Sequence, residues 1–206
     1  NTFIILGPNH TGVGAPISLY PQGAWKTPLG VVSINNEIAD TIVKNSSVVR
    51  RDTLDHRFEH SIEVQIPLLQ VFQKGVFDIV PITIMSMDIP MRDDLARSIA
   101  DTVGKLPDKT GIIASSDMTH YESKQAAEKK DSYVIDAILA LDPDAVWKRV
   151  KEKEVSMCGY LPVGCMLKAA VLLGAKKARL IQYTHSGEVT GDDREVVGYA
   201  GIGIYL

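Results

Sequence analysis

Nothing in this sequence is apolar for long enough to cross a bilayer, which takes roughly 18 to 20 consecutive residues, and no basic-then-apolar leader pattern opens it. A membrane is therefore not among the expected partners. Cysteine is scarce. Cys158 and Cys165 stand seven residues apart in one segment, which is no disulfide framework, so free thiols in a reducing, cytoplasmic setting are expected. A surplus of positive charge is missing too. With 22 Lys and Arg against 25 Asp and Glu the net charge is −3, and the signs are mixed along the chain, so there is no basic face of the kind a polyphosphate backbone requires. Nucleic acid is excluded as an expected partner on that ground. No internal repeat or low-complexity linker divides the chain.

What is present is a composition of 45% hydrophobic and 23% charged residues over 206 positions, enough to bury a core, and one domain over 1–206 is the economical reading. Phe3-Ile4-Ile5-Leu6 shows no polar alternation, which suits a strand covered on both faces. Gly7-Pro8 is expected to end its ladder, because proline has no N–H to give. Further strands are expected at Val31–Ile34, Phe77–Met85, the apolar run after Thr110, Ala178–Tyr183 and Val196–Leu206. Helices fall between them: one capped by Asn35 or Asn36, one broken near Gln65 by Pro67, and others over 90–103, 126–141, 144–152 and 166–173. Ala15–Trp25 is rich in proline, glycine and small residues and is assigned no element, and Trp25–Gly30 reads as an irregular loop or edge strand leading into Val31. The alternation argues for an α/β fold with a central, largely parallel sheet flanked by helices, its glycine-rich end allowing a bulge or an antiparallel edge pair. Asn1 runs into a strand pattern with no turn before it, as expected for a chain lacking an N-terminal segment.

Four segments hold the metal-capable or acid–base side chains that fall in loops: His10, the run Asp55-His56-Arg57-Phe58-Glu59-His60, Asp117 with His120, and Cys158. Imidazole and thiolate suit zinc, iron or copper, whereas calcium or magnesium would want a cluster of oxygens. His10 and His120 each follow a short apolar strand, and ligands in open α/β sheets collect beyond the carboxyl ends of strands. His56 and His60 have the spacing of one helical face, but Arg57 stands where a zinc peptidase needs glutamate. A metal-free alternative makes Cys158 a nucleophile with His10, His60 or His120 as base, its thiol pKa lowered by the helix N-terminus that follows. Each residue also has a plainer reading, as a loop-bonded histidine or an inert thiol. Cys165 reads as core, His185 as a solvated surface residue, and Gly191–Glu195 as a solvated turn.

Taken in order, Gly7-Pro8-Asn9-His10, Glu59-His60-Ser61-Ile62-Glu63, Ser115-Ser116-Asp117-Met118-Thr119-His120, Cys158-Gly159-Tyr160-Leu161-Pro162-Val163-Gly164 and Val197-Gly198-Tyr199-Ala200 resemble the Memo family, whose prokaryotic members are called AmmeMemoRadiSam system protein B. The match runs from the first residues to the last. That family is similar in fold to the class III extradiol dioxygenases (LigB-like), so the resemblance implies a central sheet among helices with a metal pocket at strand ends. It implies that His10 is one histidine of a metal triad, and that Cys158 stands where the dioxygenases have a glutamate ligand. It further implies catalytic, proton-handling roles for His120, for Asp117 beside it, and for His60. The family's other metal histidine lies in an Ala-Pro-His-Ala-Gly-like segment that this sequence does not contain. The centre is therefore expected to be incomplete, or to use His60 or His120 instead.

On this reading the cofactor is iron or copper and the activity a metal-dependent, dioxygenase-like redox or oxygen chemistry. Two rivals stand beside it: a non-catalytic adaptor that uses the same pocket, and a cysteine-dependent hydrolase. The expected partner is a small molecule or peptide in the pocket, and a homo-oligomer is allowed.

Overall fold

Unbroken runs of β-branched residues become the centre of the first part of the chain, where both faces of the sheet are covered. The computed structural model describes residues 1–73, 75–106 and 110–206, and the chain divides into two units, Asn1–Ser115 and Ser116–Leu206.

The first unit runs β1 (Thr2–Pro8), β2 (Ile17–Leu19), β3 (Ala24–Thr27), β4 (Gly30–Ile34), α1 (Asn36–Asn45), β5 (Arg50–Arg51), a 3₁₀ turn at Asp55–Arg57, α2 (Gln65–Phe72), β6 (Asp78–Ile84), α3 (Ile89–Val103) and β7 (Thr110–Ala114). Its sheet has the order β3-β4-β6-β1-β7, with β2 beside β5 and β6. Pairing is parallel for β1 with β6 and β7, and for β4 with β6, so the centre is the mostly parallel sheet of an α/β fold. Ile4, Ile5 and Leu6 are fully buried in it, as the lack of polar alternation requires. Asn35 caps α1 by accepting from the Ile38 N–H, and Asp88 caps α3 by accepting from the Met91 N–H. Helix α1 packs on α3 and β6.

β1 ends at Gly7-Pro8 as expected: Pro8, paired with Ile84, is its last residue, and only the Asn9 N–H adds a bond beyond it, donating to the Ile84 carbonyl at 3.0 Å. One local expectation changes. Ala15–Trp25 is not without structure, because Ile17-Ser18-Leu19 forms the buried strand β2, antiparallel to β6. Three residues are too few to show a period.

The second unit runs β8 (His120–Glu122), α4 (Lys124–Leu139), α5 (Pro143–Glu152), α6 (Tyr160–Leu172), β9 (Lys177–His185), α7 (Gly187–Thr190) and β10 (Val196–Tyr205). Its three strands form an antiparallel sheet in the order β8-β10-β9, with a register shift at Gly201/Ile202. The glycine-rich end is thus the middle strand of a small sheet of its own. Helix α4 packs on β9 and β10, and α5 packs on α4 and α6. Neither cysteine is in a disulfide. Among the described residues no helix is long and apolar enough to cross a membrane.

Candidate functional site

In the first unit, β1 delivers His10 from a backbone that must pass very close to the segment at 59–61. A Cβ on Gly7 would lie 2.5 Å from Ser61 Oγ and 2.8 Å from the Ile62 side chain, so only glycine lets the two segments meet. Ser61 Oγ then donates to the Pro8 carbonyl at 2.7 Å. Glu59, 5% exposed, is the anchor of the turn. It accepts from the His10 N–H, from His10 Nδ1 at 2.9 Å, from the His60 N–H at 2.9 Å and from the Ser61 N–H at 2.8 Å. Burial pushes the Glu59 carboxyl upward, yet the donors of His10 and Ser61 outweigh it and hold the group below the usual carboxylate range. An ionised carboxylate only accepts, so Nδ1 of His10 carries the hydrogen and Nε2 is left as the atom that can meet a ligand. The His60 ring lies parallel to that of His10, with centroids 5.1 Å apart. One ligand atom from each of His10, Glu59 and His60 lies within 4.8 Å of the others.

The second unit holds another such group. Asp117 donates its backbone N–H to Cys158 Sγ at 3.3 Å, and the Gly159 N–H donates to Ser116 Oγ at 2.9 Å. His120 is fixed by Ser156: its N–H donates to Ser156 Oγ and its Nδ1 to the Ser156 carbonyl, both at 2.7 Å. That leaves Nε2 facing Asp117 Oδ2 at 3.6 Å. Asp117, His120 and Cys158 also offer ligand atoms within 4.8 Å of one another. Behind this loop lies Asp131 of α4, fully buried, accepting from the Thr119 N–H (2.9 Å), the Thr119 hydroxyl (2.7 Å) and the Tyr183 hydroxyl (2.7 Å). A Cβ on Gly198 would sit 2.2 Å from Asp131 Oδ2, which is why β10 carries glycine there.

The ordered segments that build these two groups are also where the chain compares with known proteins. A family model described as Memo-like protein matches residues 1–203. The chain belongs to the Memo-like family. It is 43% identical over 202 residues to a MEMO1 family protein of Methanosarcina barkeri, covering 98% of this chain and 75% of the relative. It is 44% identical over 202 residues to one of Methanosarcina acetivorans, covering 98% and 74%. Against a MEMO1 family protein of Thermotoga maritima the identity is 41% over 196 residues, covering 95% and 69%.

Of the residues singled out in this Memo-like sequence, the structure brings His10 together with His60, and Asp117 with His120 and Cys158. His56 and His60 do not share a helical face, because Asp55–Arg57 is a 3₁₀ turn and α2 begins only at Gln65. His185 is not solvated: it is 4% exposed, at the end of β9. The Cys158 thiol is pushed up rather than lowered. Burial is the largest cause and outweighs the Asp117 N–H, and Cys158 precedes the Gly159 cap of α6 instead of lying in its first turn. Gly191–Glu195 is the solvated turn expected, with exposed Arg194 paired to half-exposed Asp192 at 2.7 Å. Sequence reasoning misses the supporting roles of two residues, Glu59 and Asp131. Glu59 is visible as part of a polar run and of the Glu59-His60-Ser61-Ile62-Glu63 motif, in neither case with a role. Asp131 carries a signal, a carboxylate interrupting the apolar stripe Ala127, Val134, Ile135, Ile138 of α4.

Proposed function

We propose that this Memo-like chain is a cytoplasmic metal-dependent protein of redox or oxygen chemistry, with His10 and Cys158 as metal-ligating side chains and His120, Asp117 and His60 as its proton-handling groups. The observation that supports this reading is the donor chemistry of the two groups: imidazole nitrogens and a thiol, each beside a carboxylate, which fits iron or copper and not calcium or magnesium. A thiol that burial keeps protonated gains most from a soft cation that replaces the proton. When bound, iron or copper would supply one-electron redox chemistry toward a small-molecule or peptide substrate.

The chain's own residues supply the rest. Glu59 fixes the tautomer of His10 and aims Nε2 outward, the orientation that a carboxylate gives to a ligating histidine. Ser156 does the same for His120, leaving its Nε2 to exchange a proton with Asp117 or with a bound substrate. His60 stacks on His10 and is exposed, so a proton passed to it can leave to solvent. The raised thiol counts against Cys158 as the nucleophile of a hydrolase.

Metal analysis of protein purified without oxygen, comparing wild type with His10→Ala and Cys158→Ser, tests this function. Stoichiometric iron or copper in the wild type, lost in both variants, is the expected result. Wild-type protein free of both metals after reconstitution overturns it, and turns attention to a metal-free binding role.

A further inference from the structure

The first unit contains a cavity that the chemistry above does not use. Its volume is about 480 Å³, inside the range of small-molecule sites, roughly 300–1,000 Å³. None of its lining residues belongs to the His10, Glu59 and His60 group.

The walls are aromatic and fixed by the sheet. Tyr20 and Trp25 meet edge to face with centroids 5.5 Å apart, and His56 stands against both, 5.4 Å from Tyr20 and 5.7 Å from Trp25. The Tyr20 N–H donates to the Pro81 carbonyl at 3.0 Å, and Trp25 pairs with Val32 across the β3–β4 hairpin. Both rings pack on the core around Ile5, Ile62 and Ile66. Such walls need little ordering when a ligand arrives. His56 lines this cavity with its side chain 2% exposed, and apart from its approach to the Ser18 backbone neither ring nitrogen makes a hydrogen bond of ordinary geometry. Its nearest charged group is Asp55, whose Oδ1 lies 3.6 Å from Nε2 and has no hydrogen-bond partner either. Burial lowers the His56 pKa against the pull of Asp55, so the ring is a neutral donor and acceptor in an apolar wall. Buried polar rings without partners are uncommon, and a polar ligand is one way to supply them.

Three exposed charged side chains complete the lining: Lys26, Arg57 and Glu63. None of the three forms an ion pair with a described residue. Among the lining side chains, two cations and one anion leave a surplus of one positive charge, while the carboxylates that act on His56, those of Asp55, Asp52 and Glu59, lie outside the lining. That surplus disfavours a cationic ligand, which the aromatic faces alone would attract, and it is too small for a polyphosphate.

We propose that this cavity binds a planar aromatic ligand carrying one negative charge, its ring against Tyr20 and Trp25 and its charge at Lys26 and Arg57.

Calorimetric titration of the whole chain with 2-naphthoate and with its uncharged isostere 2-naphthamide tests the site. Naphthoate should bind about tenfold more tightly, the effect of one charge met at intermediate dielectric. Lys26→Gln and Arg57→Gln lie at exposed positions where folding is not at stake. Each should weaken naphthoate about three- to tenfold and leave naphthamide unchanged, while Glu63→Gln should tighten naphthoate. Trp25→Ala should weaken both probes, with circular dichroism confirming the fold, and His10→Ala should alter neither. No binding of either probe at millimolar concentration overturns the proposal. So does equal affinity for the two probes, or naphthoate affinity that ignores both Lys26→Gln and Arg57→Gln.

Discussion

Replacing Asp131 with alanine should loosen the whole loop that carries Asp117 and His120. The carboxylate is fully buried and accepts both the N–H and the hydroxyl of Thr119, which is itself fully buried. In Asp131→Ala these two buried donors lose their acceptor. Each unsatisfied buried donor costs about 1–3 kcal/mol. The Tyr183 hydroxyl, half-buried, can turn to solvent and adds little. Losing a carboxylate whose charge burial already disfavours returns part of the cost. The net loss should be about 2–4 kcal/mol, and with a urea slope of about 2 kcal/mol/M the midpoint should fall by about 1–2 M. Asp131→Asn keeps an acceptor for Thr119 and should cost less. Urea unfolding followed by circular dichroism measures the loss, and amide exchange over 116–123 localises it. A midpoint within about 0.3 M of wild type in Asp131→Ala would refute the reasoning, since even one orphaned donor exceeds that. The pH dependence carries a sign of its own. Burial raises the Asp131 pKa above its unfolded value, outweighing the Thr119 and Tyr183 bonds, so the native state binds more protons between the two values. Its contribution is present below the unfolded value, about 3.9, and is lost as pH rises through the folded one. Asp131→Asn should abolish that fall.

Glu59 should show the opposite slope: its pKa is depressed in the fold, so its stabilisation is present at neutral pH and lost as pH falls below about 4.3. Acid titration of Glu59→Gln should be shallower than that of wild type, and an unchanged profile would count against the assigned bonds. Gly7→Ala should cost about 1–3 kcal/mol by overpacking against Ser61 and Ile62; thermal unfolding at wild-type temperature would show that the contact yields easily. Cys158 should react with iodoacetamide more slowly than a free thiol at pH 8, with its rate midpoint above about 8.5. A midpoint below that value would mean that the Asp117 N–H, and not burial, governs the thiol.

Where the sequence can be read, the signal is long and one-sided. Phe3–Leu6 and Phe77–Met85 announce buried strands because neither has a polar face, and Asn35 caps the helix that follows it. Ile17-Ser18-Leu19 is opaque because its burial comes from β6, 60 or more residues away, and not from any period of its own. The separate antiparallel sheet is hidden for a related reason: Val196–Tyr205 has strand character, but partners are chosen by packing. Among site residues, chemistry is easier to read than environment. His10, His60, His120 and Cys158 stand out as types of side chain, whereas the burial of His185 and the raised thiol of Cys158 depend on what surrounds them. Of the carboxylates that hold the two loops, Asp131 is marked only by its place in the apolar stripe of α4, and nothing in the sequence tells which donors Glu59 accepts.

The contact between Gly7 and Ser61 has a kinetic side. His10 owes its orientation to Glu59, 49 residues further on, and the Pro8 carbonyl meets Ser61 across 53. Each loop has local hydrogen bonds of its own, but the contact between them forms only after the chain closes a loop of that length against its entropy. The imidazole therefore acquires its bearing late, with the docking of β1. The ordering of that ring thus reports on the long-range closure of the first unit, which the strands' own apolar runs do not.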